Sequence, residues 1–179
     1  TWLDRQQWVP AREAAQAWYD RASANNDVLE TLRAQAALAS VGIFSGDTGA
    51  TRGLQSLLAA VDRQSEAVDA IYPPASTELR MYAGLLAAYR DDRAGVDAAL
   101  RSTDGSVAVR EFPTLAQLRQ VLLAEQARLS GQPKAAVARL QSLAKQDTAL
   151  VAVHWALLRA ERSAGNAVGM QIQANWLAT

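Results

Sequence analysis

The second half of the chain alternates apolar helical stretches with short polar turns, and this pattern limits the folds that it can adopt. Between residues 115 and 177, apolar residues recur at the spacing of helices that each bury one face. Two turns have related sequences, Arg-Leu-Ser-Gly-Gln and Arg-Ser-Ala-Gly-Asn, and their glycines, Gly131 and Gly165, are 34 residues apart. A spacing of this length predicts helix pairs that stack on one another.

The first half also predicts helices, although their spacing is less regular. Proline, glycine, asparagine and aspartate residues divide it into segments whose apolar residues recur at helical intervals. The predicted helices cover about residues 10–24, 28–44, 50–71 and 77–90, and a short helix with Val96, Ala99 and Leu100 follows. An apolar segment with Trp2, Leu3, Trp8 and Val9 leads into the first of them. Residues 102–112, which include Asp104-Gly105, predict a loop.

Composition excludes several classes of function. Lysine plus arginine and aspartate plus glutamate both number 18, so the chain lacks the basic excess of nucleic-acid and anionic-membrane binders. No apolar run is long enough to span a membrane, so direct membrane insertion is not expected. Cysteine is absent, which rules out disulfides and thiolate chemistry.

Residues 115–177 resemble the tetratricopeptide repeat family. The residues that carry the resemblance are Gly131, Ala136 and Leu140 in one repeat, and Leu158 and Gly165 in the next. The chain departs from the family at Met170, where a small alanine is preferred, and near Thr148, where a proline is expected. The resemblance implies an all-α fold, a right-handed α-solenoid of antiparallel helix pairs with about eight or nine helices. We expect a single domain over residues 1–179, with irregular repeats in 10–112 and clearer repeats in 113–179.

In that family the first helices of the pairs line a concave groove that binds a peptide or a partner protein, and the repeats are not catalytic. Here those helices are expected to begin near Val28, Thr77, Leu115 and Ala149. The predicted partner-binding residues are Arg33, Glu125, Arg128, Trp155, Arg159 and Arg162, with Met81 and Val121 also facing the groove. Trp155, Arg159 and Arg162 fall on one stripe of one helix, and the arginines favour an acidic or carboxylate-bearing ligand.

Other motifs have structural explanations. Asp47-Thr48-Gly49 spells the aspartic-protease triplet, but that chemistry needs two carboxylates in a β-rich fold, whereas these residues lie between two predicted helices. A cap for the next helix is therefore the expected role of Asp47. His154 is the only histidine and has no cysteine or histidine partners, so we expect it at a helix surface or half-buried, without a metal. No cofactor, metal or catalytic residue is predicted.

Two alternatives to an interaction module stay open. The chain begins at Thr1 and shows no polar capping helix, so we expect a segment of a longer protein. It could then be a regulatory or sensor domain of a signalling protein, such as a transcriptional regulator or a nucleotide cyclase. An enzyme whose site no motif reveals is the other alternative. The sequence leaves the partner, the oligomeric state and the compartment open.

Overall fold

The computed structural model describes residues 7–146 and 150–178, which are 83% helical and contain no strand, so the all-α prediction is confirmed. The ten helices in these ranges are α1 Trp8–Ala24, α2 Val28–Phe44, α3 Ala50–Ile71, α4 Ala75–Tyr89, α5 Arg93–Ser102, α6 Val107–Glu111, α7 Pro113–Leu129, α8 Pro133–Gln146, α9 Val151–Ser163 and α10 Ala167–Leu177. The short α6 lies where a loop was predicted, so that prediction was wrong. The predicted start at Ala149, and also Trp2 and Leu3, lie outside the described residues.

Five helix–helix turns share one backbone geometry. Their left-handed residues, with φ between 55° and 78°, are Asn26, Gly46, Asp91, Gly131 and Gly165. In all five, the N–H of the following residue donates to the carbonyl five positions earlier at 2.9 Å, which satisfies a carbonyl at the helix end. In three of them the same following residue caps the next helix, because the side chains of Asp27, Asp92 and Asn166 accept a backbone N–H three positions on. One short turn therefore ends one helix and begins another.

The chain forms two compact units, which divide between Leu86 and Ala87 inside α4. In unit 1, which ends at Leu86, α2 packs against both α1 and α3. Its largest fully buried apolar side chains are Leu32, Leu57, Val61, Val68 and Met81. The hydroxyl groups of Ser40 and Tyr82 lie 2.7 Å apart in a partly buried hydrogen bond. This core therefore includes side chains from α2, α3 and α4.

In unit 2, which begins at Ala87, α7 contacts α5, α6, α8 and α9, and α9 also contacts α8 and α10. Its fully buried apolar side chains include Val96, Val121, Leu122, Leu140 and Val153. Two glutamates, Glu125 and Glu161, are also buried. The Glu161 carboxylate accepts hydrogen bonds from the amides of Gln141 and Asn166. Within the described ranges no helix combines the length and apolar character needed to cross a membrane.

Helices approach closely beside these turns. In three of them the residues four positions before and after the left-handed residue face each other, namely Gly42 and Ala50, Ala87 and Gly95, and Glu161 and Gly169. A Cβ atom at Gly95 would lie 2.6 Å from the Ala87 Cβ, and one at Gly169 would lie 2.5 Å from the Glu161 carboxyl carbon. Cβ atoms essentially never make non-bonded contacts this short, so glycine at these two positions permits the observed helix spacing.

Candidate functional site

A buried carboxylate joins two helices of unit 2. Glu125 on α7 is 1% exposed, and its two oxygens accept hydrogen bonds from arginines on different helices. Arg128, one turn later on α7, donates from Nε to Oε2 at 2.7 Å. Arg159 on α9 donates from Nε to Oε1 at 3.2 Å. The structure thus brings three of the six predicted partner-binding residues together, as an ion-pair network between helices.

Arg128 is fully engaged within the protein. Its Nη2 donates to Asp91 Oδ1 at 2.6 Å and to the Ala88 carbonyl at 3.3 Å, and its side chain is only 9% exposed. Burial by itself disfavours the charged guanidinium, but the carboxylates of Glu125 and Asp91 outweigh that effect and raise the pKa of Arg128 above its ordinary value. Arg128 therefore stays charged, and its Nε and Nη2 hydrogen bonds stabilise the fold.

An exposed stripe remains on α9. It consists of Val151, Trp155, Arg159 and Arg162, which the helical repeat places within one sector of the helix, and we call it the α9 stripe. The side chains of Val151 and Trp155 are 51% and 47% exposed. Arg162 is exposed, with no anionic partner among the residues that the structure describes. Arg159 lies over the Tyr89 ring, with 5.6 Å between guanidinium carbon and ring centroid.

The set of residues predicted to face a groove is therefore smaller and less basic than expected. Met81 and Val121 are completely buried, so both belong to the cores of their units and not to an open face. Arg128 and Arg159 pair with the carboxylates of Glu125 and Asp91, so these two positive charges are balanced by two negative ones. Among the described residues, Arg162 is then the remaining unbalanced positive charge of the three arginines. The sequence set three arginines against one glutamate here, and it presented Asp91 only as a turn residue, so the pairing of Arg128 with a second carboxylate was not expected.

Arg33 has partners of its own in unit 1. Its Nη1 donates to Glu30 Oε1 at 2.8 Å, and its guanidinium lies 5.8 Å from the centre of the Tyr72 ring. The other oxygen of Glu30 accepts from Trp18 Nε1 at 3.2 Å. Arg33 is half-buried in this cluster of aromatic and charged side chains, which ties α2 to its neighbours in unit 1.

His154 lies deeper than the sequence suggests. It is 6% exposed, and its ring stacks on the Trp176 ring with 3.5 Å between centroids. Its Nδ1 lies 2.8 Å from Gln173 Oε1, within hydrogen-bonding distance. The position expected for His154, at the surface or half-buried, was therefore wrong. In the described parts of the chain, no group of three histidine or acidic side chains is placed to hold a metal ion.

A second feature is a pocket in unit 1 of about 260 Å³. It is lined by Arg12, Gln35, Leu38, Ala39, Gly42, Asp47, Gly49, Ala50, Gly53 and Ser56. At its edge the Asp47 carboxylate accepts two hydrogen bonds, one from the Gly49 N–H to Oδ1 at 2.8 Å and one from Arg12 Nη2 to Oδ2 at 2.9 Å. Asp47 thus stabilises the turn that leads into α3, although its bond is to Gly49 and not to the first turn of the helix. Sequence reasoning gave no sign of this pocket, because its lining comes from three helices.

The bonds of Asp47 give a prediction for acid stability. The Gly49 N–H, and then the Arg12 guanidinium, lower the pKa of Asp47 below its ordinary value. Its contribution to stability is therefore present above the pKa of the unfolded chain, about 4, and is lost as the pH falls through the lower, folded value. We expect Asp47→Asn to lower the melting temperature near neutral pH but not in strong acid. Melting curves of both proteins, recorded from neutral pH into acid, would contradict this if the difference did not shrink in acid.

Comparison of the chain with models of protein families, with curated proteins and with solved structures finds no match. The α9 stripe and the unit 1 pocket are therefore the features from which a function is inferred.

Proposed function

We propose that this chain is a protein-interaction module and that the α9 stripe contacts its partner. The observation that carries this proposal is the position of Trp155, 47% exposed on a helix between an exposed valine and two arginines. Tryptophan and arginine are the residue types most enriched among those that dominate binding energy at protein interfaces. An exposed tryptophan beside arginine is thus better explained by an interface than by the fold.

The helix that bears the stripe is held rigidly. Its opposite face contributes Val153, Ala156, Leu157 and Ala160 to the core of unit 2, and each of these side chains is nearly or fully buried. Arg159 is fixed by Glu125 and by the Tyr89 ring. A partner would therefore meet a surface that is already ordered, which reduces the entropy lost on binding.

The chemistry of the stripe favours an acidic segment with apolar residues. Trp155 and Val151 offer apolar area, and Arg162 offers a guanidinium that has no anionic partner among the described residues. A carboxylate that reached Arg162 would gain a charge-assisted hydrogen bond, which is stronger than one between neutral groups. The partner we propose is a peptide segment that places an apolar side chain on Trp155 and a carboxylate on Arg162.

We further propose that the helix pairs stack as an α-solenoid of the tetratricopeptide type. The repeated turn geometry supports this, because it joins α7 to α8 and α9 to α10 in the same way. The contact between α7 and α9, the first helices of those two pairs, also supports it. In such a stack α9 would be one of the helices that line the groove, and the α9 stripe would face the groove.

The test is a double variant, Trp155→Ala with Arg162→Glu. The probes are a peptide that alternates leucine with glutamate and the same peptide with glutamine in place of glutamate. We expect the acidic peptide to shift the amide resonances of α9, and the double variant to weaken its affinity at least about tenfold. Since both side chains are exposed, the melting temperature should hardly change.

The matched control is Arg101→Glu, an identical charge reversal at an exposed position on α5. It should leave the affinity unchanged, which would separate contact at the stripe from general electrostatic attraction. If neither peptide shifts α9 resonances, or if Arg101→Glu weakens binding as much as the double variant does, the proposed interface is wrong.

A further inference from the structure

The pocket in unit 1 is open to solvent beside α3. Gly53 lies in the interior of α3 and lines the pocket, and a Cβ atom added there would meet no atom within 4 Å. Its backbone does not lie in the left-handed region that favours glycine. Alanine would be the better helix former at such a position. Gly53 is exposed, so it lies at the mouth of the pocket, and the absence of a side chain there leaves the entrance from α3 open.

A second observation in the same pocket is an acceptor without a donor. Gln35 on α2 lines the pocket, and its Oε1 is buried with no hydrogen-bond partner in the structure. Buried polar atoms are nearly always paired, because an unpaired one forfeits the hydrogen bonds that it made with water. Among the residues that the structure describes, none donates an N–H or O–H to the Gln35 oxygen, so a bound molecule could supply that donor.

The charged groups of the pocket indicate which kind of molecule would bind there. Arg12 from α1 and Asp47 from the turn lie 2.9 Å apart, with side chains 51% and 34% exposed. One cation and one anion leave the pocket neutral overall, and each retains further hydrogen-bonding positions, since a guanidinium has five N–H donors and a carboxylate has about four acceptor sites. A molecule with both a positive and a negative group complements this pair better than a simple ion does. The low pKa of Asp47 keeps its carboxylate charged.

We propose that this pocket binds a small zwitterion of the size of a free amino acid. Its ammonium group donates to Gln35 Oε1 and to Asp47, its carboxylate accepts from Arg12, and a short side chain lies against Leu38 and Ala39. A volume of about 260 Å³ is just below the range typical of drug-sized ligands, which agrees with a molecule of this size. The proposal is independent of the α9 stripe, which lies in the other unit.

The experiment is a titration of the isotope-labelled protein with the proteinogenic L-amino acids, one at a time, followed by amide resonances. We expect at least one of them to shift the backbone amides of Gly49 and Gly53 and the side-chain amide of Gln35 in a saturable way. The corresponding amine without a carboxylate, and the corresponding acid without an ammonium group, should each bind at least about tenfold more weakly. If no amino acid gives saturable shifts at these positions, the proposal is wrong.

Two variants locate the site by different means. Gln35→Leu removes the unpaired acceptor, and Gly53→Leu fills the open space from α3. Both should abolish the shifts while the melting temperature stays the same or rises, since the Gln35 oxygen has no partner to lose and a Cβ atom at position 53 meets nothing within 4 Å. Gln55→Leu, the same glutamine-to-leucine change at an exposed α3 position outside the pocket, should leave binding unchanged. Saturable shifts that persist in both pocket variants would place the ligand elsewhere and overturn the proposal.

Discussion

Replacing Glu125 with alanine is expected to reduce the free energy of unfolding by about 3–5 kcal/mol. The carboxylate is 1% exposed and is the shared partner of Arg128 and Arg159, whose side chains are 9% and 20% exposed. Without it, two guanidinium groups would face each other in a largely dehydrated space, and a cavity would remain where the side chain packs. The loss should appear in urea denaturation as a lower midpoint without a change in slope.

The control for this prediction is Asp91→Asn, which removes the other carboxylate that pairs with Arg128. Asp91 is 68% exposed, so its ion pair is screened by water and should contribute no more than about 1 kcal/mol. Asparagine tolerates the left-handed backbone at this position, where φ is 57°, so the turn should persist. A similar loss for both variants would mean that burial does not determine the strength of the network.

Replacing Gly95 with alanine is expected to destabilise the protein by about 1–3 kcal/mol, although alanine is the better helix former. The new Cβ would lie 2.6 Å from the Cβ of Ala87, and a Cβ atom cannot rotate away as the end of a long side chain can. The α4 and α5 segments beside the Asp91 turn would have to separate, and the nearby core would lose contacts. Thermal unfolding of the variant should show the decrease in stability.

The matched control is Gly53→Ala, the same change at another helical glycine. A Cβ atom there meets nothing within 4 Å, so the variant should gain up to about 1 kcal/mol from helix propensity alone. The two substitutions are therefore expected to change stability in opposite directions. If Gly95→Ala also stabilised the protein, the close approach between Ala87 and Gly95 would not exist in solution.

Local signals in the sequence were sufficient to place most helices. The predicted bounds of α2 and α3, at residues 28–44 and 50–71, agree with the structure. Asp27 caps α2, and Gly46 takes the left-handed conformation that ends it, so both boundaries follow from one or two residues. The five-residue α6 was missed because it is shorter than two helical turns and its N-cap, Ser106, makes no capping bond with its side chain.

The burial and pairing of individual side chains were harder to predict. Periodicity shows which residues share a helix face, but it does not show whether another helix covers that face, so Met81 and Val121 were assigned to a groove and lie in cores. The bond between Glu125 and Arg159 joins residues 34 positions apart, and only the packing of α7 on α9 brings them together. For the same reason, periodicity did not show that His154 is buried against Trp176.

The five similar turns also bear on how the chain acquires its structure as it leaves the ribosome. Each turn is closed by a hydrogen bond between residues five positions apart, so the contacts that join two helices at the turn lie within a short segment of the chain. A nascent chain that has released residues as far as Phe44 already contains both α1 and α2 and the turn that joins them. Proteins dominated by such local contacts fold quickly, because little loop entropy is lost before contacts form. We therefore expect helix pairs to form one after another during synthesis, beginning at the amino terminus.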